Sequence, residues 1–323
     1  MVRRMNSNIT IGKLTFNNLV NSVTIESSWK FMTQRATIRL PRLKKLLTED
    51  KYKINVGDVV TINIGYDDRM RTEFTGYVSE VAPRSPIEIK CEDEMWKMKR
   101  DVVTKSWASV KLKDVILYLF PDADVSAVQD ITLSNFRIDH VSRAKAMEKL
   151  KDETELAMYF RNGVLFCGLP YTETGLATVV YDFQKNISKD EGKKSLTFLT
   201  KESVKLKVRA ISMLPDNKKL EVELGDEDGN TTTLHYYNIR TKDELQKLAA
   251  AKINKLKYDG YRGSFHSFGL PYATHGMIAD LRDANYPERA GKYFIDEVVT
   301  QYDKSGFDRE IKLGLKADSK LYE

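Results

Sequence analysis

Gly57-Asp58-Val59-Val60-Thr61-Ile62 opens a strand-like run, and Tyr77-Val78-Ser79-Glu80-Val81 and Ile87-Glu88-Ile89 follow it. Near the other end of the chain the scheme returns. Gly276-Met277-Ile278-Ala279-Asp280-Leu281 precedes Tyr293-Phe294-Ile295-Asp296-Glu297-Val298 and then Glu310-Ile311-Lys312-Leu313. Each set reads as a Gly-led strand, a polar loop, a Tyr-led strand ending in an acid and Val, a turn and an amphipathic strand. Period-two alternation also yields such echoes by chance, so the echo alone leaves duplication and coincidence open. Two copies of one barrel flanking a different module would explain the whole layout.

Working outward, residues 1–93 read as a first tube-like β-barrel. Alternating β-branched and aromatic runs fall at 8–13, 20–27, 35–40, 59–65, 73–80 and 87–93, with turn chemistry between several of them, such as Gly65-Tyr66-Asp67-Asp68 and Pro83-Arg84-Ser85-Pro86. The stretch 42–53 fits a short helix or a long loop. Residues 94–170 change to a small α+β module. Helices are predicted over 110–120, ended by Pro121, and over 142–156 with Ser142 as N-cap. A hairpin follows around Asn162-Gly163, the favoured type I′ pair. Residues 171–315 return to strands as a second barrel, carrying a helix at 241–257 with Thr241 and Glu244 as a capping box. Residues 316–323 form a tail. The predicted class is thus β-rich α+β, with two barrels around an intervening module.

Composition narrows the function. The 323 residues carry 52 Lys+Arg against 46 Asp+Glu, a net charge of +6 with signs interleaved, which is weak ground for a nucleic-acid-binding role. Only 17 Gly and 8 Pro argue against collagen-like stalks and Gly-rich β-helical spikes. The two cysteines, Cys91 and Cys167, are far apart and lack metal-ligand spacing. The densest apolar stretch, 115–120, is far short of the ~20 residues that span a bilayer, so no membrane insertion is expected.

Chemistry-bearing motifs are scarce. His140, His235, His266 and His275 sit in no ligand spacing, although His266 and His275 flank one Gly/Pro-rich segment. Asp226-x-Asp228-Gly229 fits a hairpin turn better than a calcium loop, because the remaining acidic ligands are missing. Asp67/Asp68 and Glu92/Asp93/Glu94 qualify as glycosidase pairs only in having two carboxylates. No catalytic residue, cofactor or metal is assigned. A wall-degrading or glycan-binding protein, acting through residues 94–170, stands as the alternative function.

Two stretches carry a resemblance. The first runs from Val56-Gly57-Asp58-Val59-Val60 through Phe74-Thr75-Gly76-Tyr77-Val78 to Ile87-Glu88-Ile89-Lys90-Cys91-Glu92-Asp93. The second runs from Tyr261-Arg262-Gly263-Ser264-Phe265 and Gly269-Leu270-Pro271 to Gly276. It continues with Gly291-Lys292-Tyr293-Phe294-Ile295-Asp296-Glu297-Val298 and closes at Ile311-Lys312-Leu313-Gly314. In this order the chain resembles the hub proteins of contractile tails, the family of phage late control protein D, the T4-type baseplate hub and the hub part of type VI secretion VgrG. Met277 departs from the Asp common after this glycine, which leaves the register of the last barrel open.

The resemblance implies a non-enzymatic homotrimer with two barrels per chain. Its ring would match a six-fold tail tube on one side and a three-fold spike on the other, beside other baseplate proteins. DNA or an effector would pass through the channel without sequence-specific binding. The implied location is a virion tail baseplate or injection particle, assembled in the bacterial cytoplasm. With only residues 316–323 left after the last barrel, a separate spike protein is expected. Gly57, Gly76, Gly276 and Gly291 are read as barrel-forming positions. Tyr66, Asp67, Asp68, Arg69 and Arg71, with the linker 185–194, are expected assembly contacts.

Overall fold

The computed structural model describes residues 4–42, 49–67, 69–121, 124–126, 130–154, 156–189, 195–214, 218–237 and 239–317. Within stretch 42–53, residues 43–48 lie outside them, and Asp50–Tyr52 form a 3₁₀ turn. The chain is β-rich and dominated by antiparallel pairing. Seven strands come first: β1 (Met5–Ile11), β2 (Leu14–Asn17), β3 (Ser22–Ser28), β4 (Arg35–Leu40), β5 (Val59–Tyr66), β6 (Arg69–Ala82) and β7 (Ile87–Glu92). Their inward positions, among them Ile9, Val23, Ile25, Ile38, Ile62 and Ile89, form one core. β-Branched residues fill it because their stiff side chains pack well on a pleated surface.

A second core belongs to residues 95–167. It joins α1 (Met95–Met98), β8 (Val102–Lys111), α2 (Leu112–Leu119), β9 (Val125–Ser126), β10 (Thr132–Ser142), α3 (Arg143–Thr154), β11 (Ala157–Arg161) and β12 (Val164–Gly168). Both predicted helices are present, and the Ser142 hydroxyl caps α3 by accepting from the Lys145 amide at 3.2 Å. The β11–β12 turn carries Asn162 and Gly163 at φ 50° and 84°, as a type I′ turn requires. Strand β8, paired along most of its length with β10, was not among the predicted elements. Its outward Lys and Ser positions leave too little apolar alternation to reveal it.

The remaining elements are β13 (Thr178–Asp182), β14 (Ile187–Lys189), β15 (Thr197–Leu199), β16 (Leu206–Met213), β17 (Lys219–Gly225), β18 (Asn230–Tyr237), α4 (Lys242–Leu256), β19 (Gly260–Arg262), β20 (Ser264–Phe268), β21 (Ile278–Arg282), β22 (Gly291–Asp303) and β23 (Phe307–Lys316). They divide between two cores. Strands β16–β18 and α4 pack together around Val208, Leu234, Leu245 and Ala249. The flanking strands build another around Tyr181, Phe265, Tyr293 and Ile311. The region expected to be a single second barrel therefore contains a separate three-stranded sheet and helix.

Two separate barrels were expected, whereas the strands of both ends form one thirteen-stranded sheet, in the order β14-β20-β23-β22-β3-β4-β7-β6-β5-β1-β2, with β21 and β13 branching from β22. Among the described residues this sheet does not close on itself. Its continuity rests on β3 and β22, whose seven paired positions join the N- and C-terminal thirds of the chain.

A buried ion pair reinforces that joint. Arg309 on β23 donates to both Glu73 carboxylate oxygens on β6 at 2.6 and 2.9 Å, to Thr300 Oγ1 at 2.7 Å and to the Gly269 carbonyl at 2.9 Å. The two side chains are 1% and 4% exposed. Removing one partner of such a pair strands a charge in the interior. Arg309→Met is expected to cost about 3–5 kcal/mol in denaturant unfolding. The double variant Glu73→Met/Arg309→Met should recover most of that loss.

Candidate assembly interface

The sequence echo is a structural one. Gly57 (φ +95°) donates to the Val78 carbonyl at 2.8 Å while the Val78 amide donates to the Asp58 carbonyl at 2.9 Å. Gly276 (φ +83°) donates to the Ile295 carbonyl at 2.8 Å while the Ile295 amide donates to the Met277 carbonyl at 2.8 Å. Each long strand then shifts register two residues on, between Val78 and Glu80 and between Ile295 and Glu297. Past the shift, Glu80 pairs with Lys90 at 2.8 Å and Glu297 with Lys312 at 3.7 Å. The strand order β5-β6-β7-β4-β3 matches β21-β22-β23-β20-β14. The departure at Met277 thus leaves the register intact, because the position contributes backbone to the turn.

Between the two units lies a buried polar junction. Ser27 Oγ on β3 lies 2.5 Å from His275 Nδ1 and 2.9 Å from Thr274 Oγ1. Arg161 on β11 donates to the His275 carbonyl at 2.8 Å and to Glu173 at 2.7 Å, and Tyr159 donates to Glu173 at 2.7 Å. Burial, with the Arg161 guanidinium nearby, holds the His275 imidazole well below its ordinary range, so the ring is neutral. Asp93, which lines the same cavity of about 50 Å³, accepts from the Gln34 and Met95 amides at 2.7 and 3.1 Å. Burial outweighs those hydrogen bonds and pushes its carboxyl up to about 7. Nearby, Asp296 accepts from Trp29 Nε1 at 3.0 Å and from the Tyr171 hydroxyl, and pairs with Lys30 at 2.9 Å.

The expected contact residues have mixed placements. Tyr66 donates its hydroxyl to the Phe307 carbonyl at 3.0 Å, and the Arg71 guanidinium sits 3.6 Å from the Tyr272 ring centroid. Both therefore bind the other unit of the same chain. Asp67 accepts from the Arg4 amide at 3.0 Å, Arg69 is exposed at the hairpin tip, and Asp68 lies outside the described residues. In the linker, Lys185 pairs with Asp182 at 2.8 Å, while 190–194 lie outside the described residues. Gly76 lies against the Glu92 carbonyl, 2.2 Å from where a Cβ would stand, and Gly291 begins β22 beside the Tyr293 ring.

The structure keeps His266 and His275 apart in role: His266 bonds Asp308 at 3.1 Å on the polar sheet face, and His275 is interior. Asp226 accepts from Lys257 Nζ and the Leu206 amide, and Glu92 pairs with Lys99 at 2.5 Å. Among the described residues no group of three or more metal-ligating side chains occurs. Cys91 and Cys167 are buried free thiols pushed up to about 12 by burial. No described helix is long and apolar enough to cross a membrane.

The polar face of the sheet is rich in charged residues of both signs. Across the consecutive strands β23, β22, β3, β4 and β7 it presents carboxylates Glu26, Glu88, Glu92, Glu297, Asp303, Asp308 and Glu310. The same strands carry Arg35, Arg39, Lys90, Lys292, Lys312 and Lys316, so the two signs nearly balance.

No protein-family model matches the sequence, and no curated protein matches it. Solved structures do share the fold. A tail protein from Neisseria meningitidis MC58 is 14% identical, with 99% of this chain and 98% of that one covered at a TM-score of 0.62. The 43 kDa tail protein of prophage MuSo2 from Shewanella oneidensis is 13% identical, with 96% and 97% covered at 0.61. An E. coli component of the type VI secretion system, described as structurally similar to T4 tail proteins gp27 and gp5, is 7% identical, with 98% and 78% covered at 0.59. The structural neighbours are thus phage tail and type VI secretion proteins, in keeping with the hub family that the sequence resembles.

Two measurements test the local physics. Gly57→Ala and Gly276→Ala place a Cβ on left-handed backbone, within 2.9 Å of Trp96 and Leu176 respectively. Each should lose about 1–2 kcal/mol in denaturant unfolding. Gly306→Ala, with nothing within 4 Å and ordinary φ, should be neutral or mildly stabilising. For Asp93, the folded value lies above the ordinary 3.8, so its contribution is full below that value and is lost as pH rises to about 7. Asp93→Asn should therefore gain stability relative to the native chain between about pH 4 and about pH 7, and no further above. His275 acts oppositely in both proteins, losing its contribution as pH falls below about 6.5.

Proposed function

We propose that this chain is a structural, non-enzymatic baseplate hub of a contractile injection machine. Three copies form a ring between a tail tube and a spike protein, in a phage tail or related particle. The observation that carries the reading is the duplicated unit: one strand order and one glycine-centred hydrogen-bond register occur twice in a single chain. Three such chains present six similar barrel-like units while keeping true three-fold symmetry, which is what an adaptor between a six-fold tube and a three-fold spike needs.

The shared fold with tail and secretion proteins supports this reading. The polar junction residues, fixed by hydrogen bonds within the chain, serve to set the angle between the two units.

Native mass spectrometry of the full chain, alone and with its tube and spike partners, tests the proposal. The expected species is a trimer, and two-dimensional class averages should show a ring with six similar lobes. A chain that stays monomeric with both partners present would sink the reading.

A further inference from the structure

The three-stranded sheet of β16–β18 has two edges of opposite character. On one edge, β17 carries Lys219, Glu221 and Glu223 at alternate exposed positions. Charges of this kind blunt a strand edge against further pairing. On the other edge, β18 reads Asn230-Thr231-Thr232-Thr233-Leu234-His235-Tyr236-Tyr237, with no Lys, Arg, Asp, Glu or Pro. Among the described residues it pairs with β16 alone. This unguarded edge opens on a cavity of about 670 Å³. Thr231, Thr232 and Thr233 all line that cavity. Successive side chains of a strand point to opposite faces, so three in a row meet one cavity only along the strand's edge.

The rest of the cavity suits a chain segment. Its size is that of a ligand pocket, and its other walls hold Trp29, Leu313 and Leu315. Its charges are uneven. Lys30 pairs with Asp296 at 2.9 Å and Lys205 with Asp228 at 3.4 Å. Arg262 meets no carboxylate among the described residues. Its guanidinium lies 3.9 Å from the Tyr258 ring centroid, and its Nη1 donates to the Tyr261 carbonyl at 3.2 Å.

We propose that this groove binds an extended segment of a partner protein, added to β18 as a fourth strand. The segment has apolar side chains at alternate positions and a carboxylate for Arg262. An added strand satisfies the outward N–H and C=O groups of β18, and the cavity walls select its side chains. Charge complementarity calls for the acid, because a guanidinium forms charge-assisted, bidentate hydrogen bonds with a carboxylate. The site goes beyond the hub reading and stands whether or not the chain forms a ring.

Selection of a displayed library of short linear peptides on the full chain tests it. Enriched peptides should alternate apolar residues and carry Asp or Glu. Made synthetically, they should slow amide exchange over residues 230–237 on binding. Arg262→Gln should weaken their binding about tenfold. N-methylation of alternate peptide amides should abolish it, and this arm uses the native chain, so it does not depend on the variant folding. No enrichment, enrichment without alternation or acid, unchanged binding by the variant, or full binding by the N-methylated peptide overturns the proposal. Protection of 230–237 that grows with the concentration of the chain alone assigns the groove to a second copy, and overturns it too.

Discussion

Backbone pairing between residues 22–28 and 297–303 is the constraint on which the rest of the chain depends. It joins segments separated by almost the full sequence and converts two strand sets into one sheet. Burying it requires inward side chains from both ends to share a core, and Tyr302 and Phe307 accordingly enter the N-terminal core. The 95–167 module then packs at the seam, with Arg161 reaching Thr274 and the His275 carbonyl across it. The chain between the two units is thus tied down at both its ends, and the angle between the units is set by bonded contacts.

Much of this was legible because turn and cap chemistry is local. Asn162-Gly163 could hardly be read otherwise, and Thr241 caps α4 by accepting from the Glu244 amide at 3.3 Å. The glycine-led echo was legible because a positive φ before a strand leaves few residue choices. What stayed hidden is long-range. Nothing in residues 22–28 announces a partner near the C-terminus, so a continuous sheet read as two separate barrels. The helix at 241–257 was found, but its own sheet of β16–β18 was merged with its neighbours, since both share the same alternation.

The interior polar residues were also missed, for different reasons. Arg309 had a usable signal. In Phe307-Asp308-Arg309-Glu310-Ile311-Lys312-Leu313 it occupies the inward parity with Phe307, Ile311 and Leu313, so strand alternation alone marks it as buried and in need of a partner. His275 and Asp93 had none. They sit in turns just outside strands, where parity says nothing, and their burial comes from several distant segments converging on one small cavity.

The two kinds of junction in the proposed ring should differ in chemistry for a physical reason. Carrying the register of one unit onto the other, Ile87 stands where Arg309 does and Ala290 where Glu73 does. A contact inside one chain forms once, during folding, and its partners never separate into water. A buried charge pair is tolerable there because neither charge is ever left without the other. A contact between copies has to exist in two states, apart and together. A bare carboxylate or guanidinium at that seam would be hydrated before assembly and would lose that hydration on docking. Small or apolar residues such as Ile87 and Ala290 avoid that desolvation. The two units of the chain thus differ at Arg309 and Glu73 against Ile87 and Ala290, while the glycine turn and strand order are the same in both.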